Sequence, residues 1–155
     1  MAKAEIGKKI PKFSLETTAG DLSDADLAGK KTVIYFYPKD DTPGCTVEGR
    51  EFGELHARFK RAGIVVYGVS RDNLRSHERF KGKFEFPFEL ISDPDETLCS
   101  MFGVMRDKNM YGKKVRGIER STFLLDSNAV LQQEWRKVKP EGHAAEVLEA
   151  ARKLD

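Results

Sequence analysis

The sequence holds two cysteines among 155 residues, and one of them, Cys45, follows a polar stretch that reads as the start of a helix. In "YFYPKDDTPGCTVE", residues 35–48, apolar side chains give way to Lys39, Asp40 and Asp41. Thr42, Pro43 and Gly44 then supply an N-cap, a first-turn proline and a small residue. That register makes Cys45 the third helical residue. Its sulfur then lies in the first turn, where unpaired N–H groups and the positive end of the helix dipole favour an anion. A thiolate is such an anion, so the position should draw the thiol down from its ordinary pKa of about 8.5 and make it a nucleophile. The ordinary fate of a free cysteine is burial as a small hydrophobe. Here the polar loop at the C-terminal end of a strand, where ligands bind in open α/β sheets, favours the nucleophile. Thr42 can serve as a cap whether or not it takes part in chemistry.

Other chemistries find less support. Cys45 and Cys99 are too few for the disulfide framework of a small secreted domain, and their separation matches no zinc ribbon or finger. His56, His77 and His143 stand apart, with no His-x-His or His-Glu-x-x-His pair to seat a metal, so no metal is expected.

The elements that must position Cys45 follow from the apolar pattern. Residues 32–37 and 64–69 are short runs rich in β-branched and aromatic side chains, as in strands covered on both faces. Between them Val47, Phe52, Leu55, Phe59 and Ala62 recur at helical spacing, one crossover helix of a βαβ unit, closed by Gly63. A polar helix over 73–83, a strand near 88–91 and a short helix carrying Leu98 and Phe102 come next. Residues 103–117 form a glycine- and lysine-rich loop without periodicity. "ERSTFLLD" and "AVLQQEW" read as two strands of a hairpin turning over Ser127 and Asn128, and residues 140–154 form a terminal helix with Ala144, Val147, Leu148, Ala151 and Leu154 on one stripe. An N-terminal strand and turn over 11–27 precede the main unit. The order βαβ, α, β, α, ββα gives a mixed central sheet with helices on both faces, an α/β architecture compatible with a thioredoxin-like fold. No repeat or linker divides residues 1–155, which read as a single domain.

Composition narrows the partners. Twenty-seven basic and 25 acidic side chains leave a net charge of +2, so no global field calls for nucleic acid or an anionic membrane. The first residues contain no apolar run of signal-peptide length and no segment approaches a membrane span, which points to the cytoplasm. A near-neutral surface without an obvious patch points to a monomer.

Pro38-x-x-x-Thr42-x-x-Cys45, after an apolar strand and opening a helix, resembles the peroxiredoxin active-site motif. The form "YFYPKDDTPGCTVE" is similar to the bacterioferritin comigratory protein, or peroxiredoxin Q, subfamily. "KKIPKFSLETTAG", "MYGKKVRGIERSTFLLD" and "WRKVKPEGHAAEVLEA" extend the likeness over nearly the whole chain. The resemblance implies a thiol peroxidase on a thioredoxin-like fold with no metal or organic cofactor, acting on hydrogen peroxide and organic hydroperoxides. It makes Cys45 the peroxidatic residue, whose thiolate attacks a peroxide oxygen and becomes sulfenic acid. It gives Thr42 the orienting of peroxide, Pro38 the shielding of the sulfur, and Arg120 the stabilising of thiolate and developing oxyanion. The amides of Gly44 and Cys45 act as further donors, and Glu48 as the carboxylate that holds the Arg120 fork. Taken alone, Pro38 is a strand terminator, Arg120 a solvated strand residue, and Glu48 a complement to the helix dipole.

Many members of the subfamily carry a resolving cysteine five residues after the peroxidatic one, where this chain has Arg50. Others carry it in the next helix, and residues 73–83 contain none. Cys99 is the remaining candidate for a two-cysteine scheme, although its place between Leu98 and Met101 reads as a core thiol. The preferred scheme therefore uses one cysteine, with an external thiol as reductant: thioredoxin, glutaredoxin or a low-molecular-weight thiol. A dithiol oxidoreductase would need Cys-x-x-Cys, and Glu48 stands at the second position. A cysteine hydrolase would need a histidine beside Cys45. A thioredoxin-like binding module without enzymatic activity is the alternative outside enzymes.

Overall fold

The structure, a computed structural model, describes residues 2–154. In chain order the elements are β1 (Ser14–Thr17), β2 (Gly20–Ser23), a 3₁₀ turn (Asp24–Leu27), β3 (Lys31–Phe36), α1 (Pro43–Glu54), α2 (His56–Arg61), β4 (Ile64–Ser70), α3 (Leu74–Phe84) and β5 (Glu89–Ser92). They continue with α4 (Thr97–Met101), β6 (Met105–Met110), β7 (Lys113–Ile118), β8 (Ser121–Leu125), β9 (Leu131–Trp135) and α5 (His143–Arg152). Seven strands form a sheet in the order β2-β1-β5-β4-β3-β8-β9, and β6 pairs with β7 separately. β3, β4 and β5 run parallel, while β1 and β8 join them antiparallel. This is the mixed sheet expected, and the N-terminal strand and turn prove to be a hairpin that extends its edge.

The apolar runs are continuous because the central strands are covered on both faces. Along β3, Val33 and Tyr35 point into one core and Ile34 and Phe36 into the other, the period-two alternation of a strand. The first core is closed by Phe52 of α1, Phe59 of α2, Phe80 of α3 and the Ala144, Val147, Leu148, Ala151 stripe of α5. The second is closed by Leu98, Cys99 and Met101 of α4 together with Ile10, Phe13 and Leu27. Stacking of Tyr35 on Phe52, ring centroids 4.5 Å apart, ties the strand before the active loop to the helix after it.

Two expectations need correction. The segment expected as one crossover helix is two, broken at Leu55, whose φ of −94° and ψ of 0° leave the helical region. The bend puts both Phe52 and Phe59 fully into the core beneath the sheet. Residues 103–117 are not an irregular loop: β6 and β7 make a hairpin turning at Tyr111 and Gly112, both at positive φ. Lys113–Arg116 of β7 are exposed, so no face is selected for apolar residues and no alternation marks the strands.

Gly49 sets how closely α1 approaches the segment leading into β5. A Cβ there would come within 2.5 Å of the Phe86 ring. Gly49→Ala is therefore expected to destabilise by about 1–3 kcal/mol, the usual cost of overpacking, read as a lower urea midpoint.

Candidate active site

Cys45 is the third residue of α1, as the Thr42-Pro43 signal predicts, and it is 2% exposed. Thr42 occupies the N-cap with extended backbone, and its carbonyl accepts from the Thr46 amide at 2.9 Å. Its hydroxyl does not cap the helix. It donates instead to the Lys39 carbonyl at 2.8 Å, so the capacity left to it is that of an acceptor. Pro43 has no N–H and the Thr46 amide is committed, which leaves Gly44 and Cys45 as first-turn amides without a partner inside the helix. Pro38 lies half-buried just past the end of β3.

Arg120 arrives from the chain entering β8, the strand beside β3. β8 runs antiparallel to β3 with Ser121 opposite Phe36, so the residue before β8 emerges beside the loop that leads into α1. Its Nη2 donates to Cys45 Sγ at 3.5 Å and its Nη1 to Glu48 Oε1 at 2.8 Å. Cys45 and Glu48 are three residues apart on α1 and so share the helix face that meets the guanidinium. Five sequence-predicted positions, Thr42, Gly44, Cys45, Glu48 and Arg120, thus occupy one corner of the fold.

The electrostatics of this corner are those of burial against pairing. Glu48 is fully buried and its Oε2 has no hydrogen-bond partner among the described residues. Burial pushes its carboxyl up to about 7, against the opposing pull of Arg120. Burial alone would lower Arg120, but Glu48 and the Cys45 sulfur outweigh it and hold the guanidinium above its ordinary value. Tyr35 is also held well above its usual range, by burial first and then by Glu48 and Cys45, so its hydroxyl keeps its proton.

Sequence reasoning missed Tyr35, Asp40, His77 and His143. His143 of α5 is buried, its Nε2 2.8 Å from Thr122 Oγ1 and its Nδ1 3.2 Å from Glu146 Oε1. Burial, before any other cause, lowers it below the usual histidine range. Among the described residues no histidine is hydrogen-bonded to Cys45. Asp40, Asp72 and His77 gather three ligand-type atoms, each already hydrogen-bonded within the protein. A polar residue in a loop and a histidine on a helix give no local sign of such pairing, because the partners lie 37 positions apart.

Cys99 is also fully buried, but in the other core, so the sheet stands between the two sulfurs. Both cysteines are free thiols. Burial first, and then Asp93, pushes the Cys99 thiol far up.

Comparison with known proteins matches residues 6–134 to the AhpC/TSA family. The chain is 52% identical over 145 residues to a putative peroxiredoxin bcp of Coxiella burnetii, covering 93% of this chain and 96% of that one. It is 43% identical over 151 residues to peroxiredoxin Bcp of Bacillus subtilis, covering 97% and 96%. A solved structure of peroxiredoxin Q from Xanthomonas campestris superposes with a TM-score of 0.86 at 51% identity, covering 90% of this chain and 89% of that one. A second, described as bearing on the alkyl peroxide reduction activity of Xanthomonas campestris bacterioferritin comigratory protein, gives 0.86 at 50% identity over 90% of each chain.

Glu48 holds its proton to about pH 7 when folded, against an ordinary value of 4.5. Between those values the folded state binds the extra proton, so the contribution of Glu48 to stability falls as pH rises, by up to about 1.4 kcal/mol per unit. Glu48→Gln removes that slope. From pH 5 to pH 8 the stability of the variant relative to the parent should therefore improve, measured by urea unfolding at each pH; a difference independent of pH would contradict the assignment.

Proposed function

The chain belongs to the AhpC/TSA family, in its Bcp or peroxiredoxin Q branch, and from that footing we propose that Cys45 is its peroxidatic nucleophile. It is a thiol peroxidase, an oxidoreductase that reduces peroxides through cysteine chemistry. The observation that carries the assignment of residues is the Arg120 Nη2 donated to Cys45 Sγ at 3.5 Å in the first turn of α1.

The Cys45 thiolate attacks the terminal oxygen of a hydroperoxide, the S–O bond forms and the O–O bond breaks. The alkoxide or hydroxide that leaves takes a proton from solvent, and Cys45 is left as sulfenic acid. Arg120 holds a permanent positive charge beside the thiolate and then beside the developing oxyanion. The Thr42 hydroxyl, its hydrogen given to Lys39, accepts the O–H of the peroxide, and the Gly44 and Cys45 amides donate to the reacting oxygens. Pro38 shields the sulfur, and Glu48 keeps the guanidinium fork aimed. Hydrogen peroxide and organic hydroperoxides are both substrates in this reading, the latter supported by the alkyl peroxide reduction described for the Xanthomonas campestris relative.

Resolution falls to an external thiol in a one-cysteine scheme. A disulfide needs Cα atoms within about 7 Å, whereas Cys45 and Cys99 lie in different cores on opposite faces of the sheet. Thioredoxin, glutaredoxin or a small thiol would attack the sulfenic sulfur, release water and leave a mixed disulfide that a second thiol clears. Because Cys45 is 2% exposed, the first turn of α1 must open for any but a small thiol. We place the activity in a single-domain, monomeric, cytoplasmic protein serving antioxidant defence and cell redox homeostasis, without nucleic-acid or membrane partners. No helix among the described residues is long and apolar enough to cross a membrane.

Peroxide consumption with a thiol donor should vanish in Cys45→Ser and persist in Cys99→Ser. One equivalent of peroxide should add a single oxygen to the intact mass. Loss of two hydrogens instead would establish a Cys45 to Cys99 disulfide and the two-cysteine scheme, and undiminished turnover in Cys45→Ser would remove Cys45 from the mechanism. A second variant probes Arg120 through its neighbour. A Cβ on Gly44 would lie 3.1 Å from Arg120 Nη2, so Gly44→Ala must displace that nitrogen. The reaction with peroxide should slow about tenfold, short of the roughly 10²- to 10³-fold for outright loss of a preorganised donor, with the unfolding midpoint little changed.

A further inference from the structure

The loop that carries Pro38 and Thr42 is held at its midpoint by groups that the reaction above leaves unused. Asp40 is buried; its Oδ1 accepts from the Tyr37 hydroxyl at 2.6 Å, and its Oδ2 accepts from Ser76 Oγ at 2.8 Å and faces His77 Nδ1 at 2.8 Å. His77 is fully buried on α3, with Nε2 2.9 Å from the Ile91 carbonyl. Both ring nitrogens thus meet oxygens. The Asp40 amide donates to Asp72 Oδ2 at 2.9 Å. Asp72 is locked in turn by the Ser70 hydroxyl on its carboxylate and by Ser92 Oγ on its carbonyl at 2.7 Å. Lys83, also on α3, pairs at 2.9 Å with Asp41, which sits at a φ of 57° that a non-glycine residue seldom adopts.

The amide of Asp40 and the carbonyl of Lys39 are two ends of one planar peptide unit. The carbonyl end accepts the hydrogen of the Thr42 hydroxyl. A hydrogen bond at one end of a peptide unit polarises it and strengthens the bond at the other. The geometry points to Asp72, backed by the Asp40–His77 pair, as a positioning residue that acts through the 39–40 peptide to aim the Thr42 hydroxyl at the peroxide. With its hydrogen committed to Lys39, Thr42 presents lone pairs toward the oxygen that Cys45 attacks. Three α3 side chains, Ser76, His77 and Lys83, keep the peptide from turning. This inference rests on the reading of Thr42 as a contact to peroxide.

The test compares the reaction of Cys45 with hydrogen peroxide and with iodoacetamide, since alkylation needs only the thiolate and peroxide reduction also needs an oriented O–O bond. Asp72→Ala should slow the peroxide reaction about tenfold and leave alkylation within about twofold, the loss expected of one misplaced hydrogen-bonding group. Asp72→Asn, which keeps an acceptor oxygen, should recover most of the rate. In a Thr42→Val background Asp72→Ala should add nothing further, because the two act through one group. Equal slowing of both reactions, no slowing of either, or additive losses in the Thr42→Val background would overturn the inference. Should Asp72→Ala fail to fold, Tyr37→Phe removes one donor to Asp40 at nearly constant volume and is read the same way, with slowing of about threefold for a weakened support. The underlying reading is tested separately: a Thr42→Val protein as fast as the parent removes Thr42 from the mechanism, whereas a slow Thr42→Val beside a fast Asp72→Ala removes only the positioning role.

Discussion

One guanidinium serves two partners here, a carboxyl and a sulfur, and the rest of the site is arranged to make that sharing hold. Arg120 gives Nη1 to a fully buried Glu48 and Nη2 to the sulfur of Cys45. Taking a carboxylate out of water costs several kcal/mol even after relaxation, and only good pairing offsets it. Glu48 pairs through one oxygen while Oε2 has no partner, which is why burial wins and its carboxyl holds a proton up to about pH 7. The guanidinium, in contrast, cannot be neutralised in this range. The sulfur therefore has a charge partner that survives the titration of its neighbour.

Delivery of that charge depends on the topology more than on the local sequence. Parallel pairing of β3 with β4 needs a crossover, and α1 and α2 supply it on one face. Antiparallel pairing of β8 with β3 then starts β8 at the C-terminal end of β3, where Arg120 leads into the strand. A shift of one residue in that register would turn Phe123 and Leu125 out of one core and Leu124 out of the other, so packing fixes Arg120 as tightly as any contact it makes. α5 closes the arrangement by packing on α1, with the Gly142 amide donated to Glu51 Oε1 at 2.8 Å.

What was legible in the sequence was whatever local rules decide. The strands β3 and β4, the position of Cys45 in α1, the existence of α3 and the stripe of α5 follow from pattern and, at α1, from capping residues. The role of Thr42 was legible only in part: it is the N-cap by backbone, yet its hydroxyl serves the Lys39 carbonyl. Arg120 carries no local sign of burial, since a strand arginine normally faces water, and it was found through family resemblance. The β6–β7 hairpin escaped because exposed strands need no alternation and its turn uses Tyr111 and Gly112 rather than an Asn-Gly pair. The break at Leu55 escaped because Phe52 and Phe59 are compatible with one helix or two. The Asp40–His77 contact is a product of tertiary structure alone.

The two cysteines make a controlled comparison within one chain. Both are third residues of a helix, Cys45 in α1 and Cys99 in α4, so the helix-start rule applies to both. Their surroundings are opposite. Cys45 meets the cation of Arg120; Cys99 gives its amide to the Asp93 carboxylate at 2.8 Å and lies beside that negative charge in an apolar core. Asp93 takes the Cys99 amide of the α4 first turn on its Oδ2 and opposes any second anion there. The first turn of a helix favours an anion in general, and the charge placed beside it has opposite sign at the two cysteines. The same contrast bears on resolution: in the folded protein Cys99 lies across the sheet from Cys45 and is a thiol that burial and Asp93 keep protonated, a poor nucleophile toward a sulfenic acid.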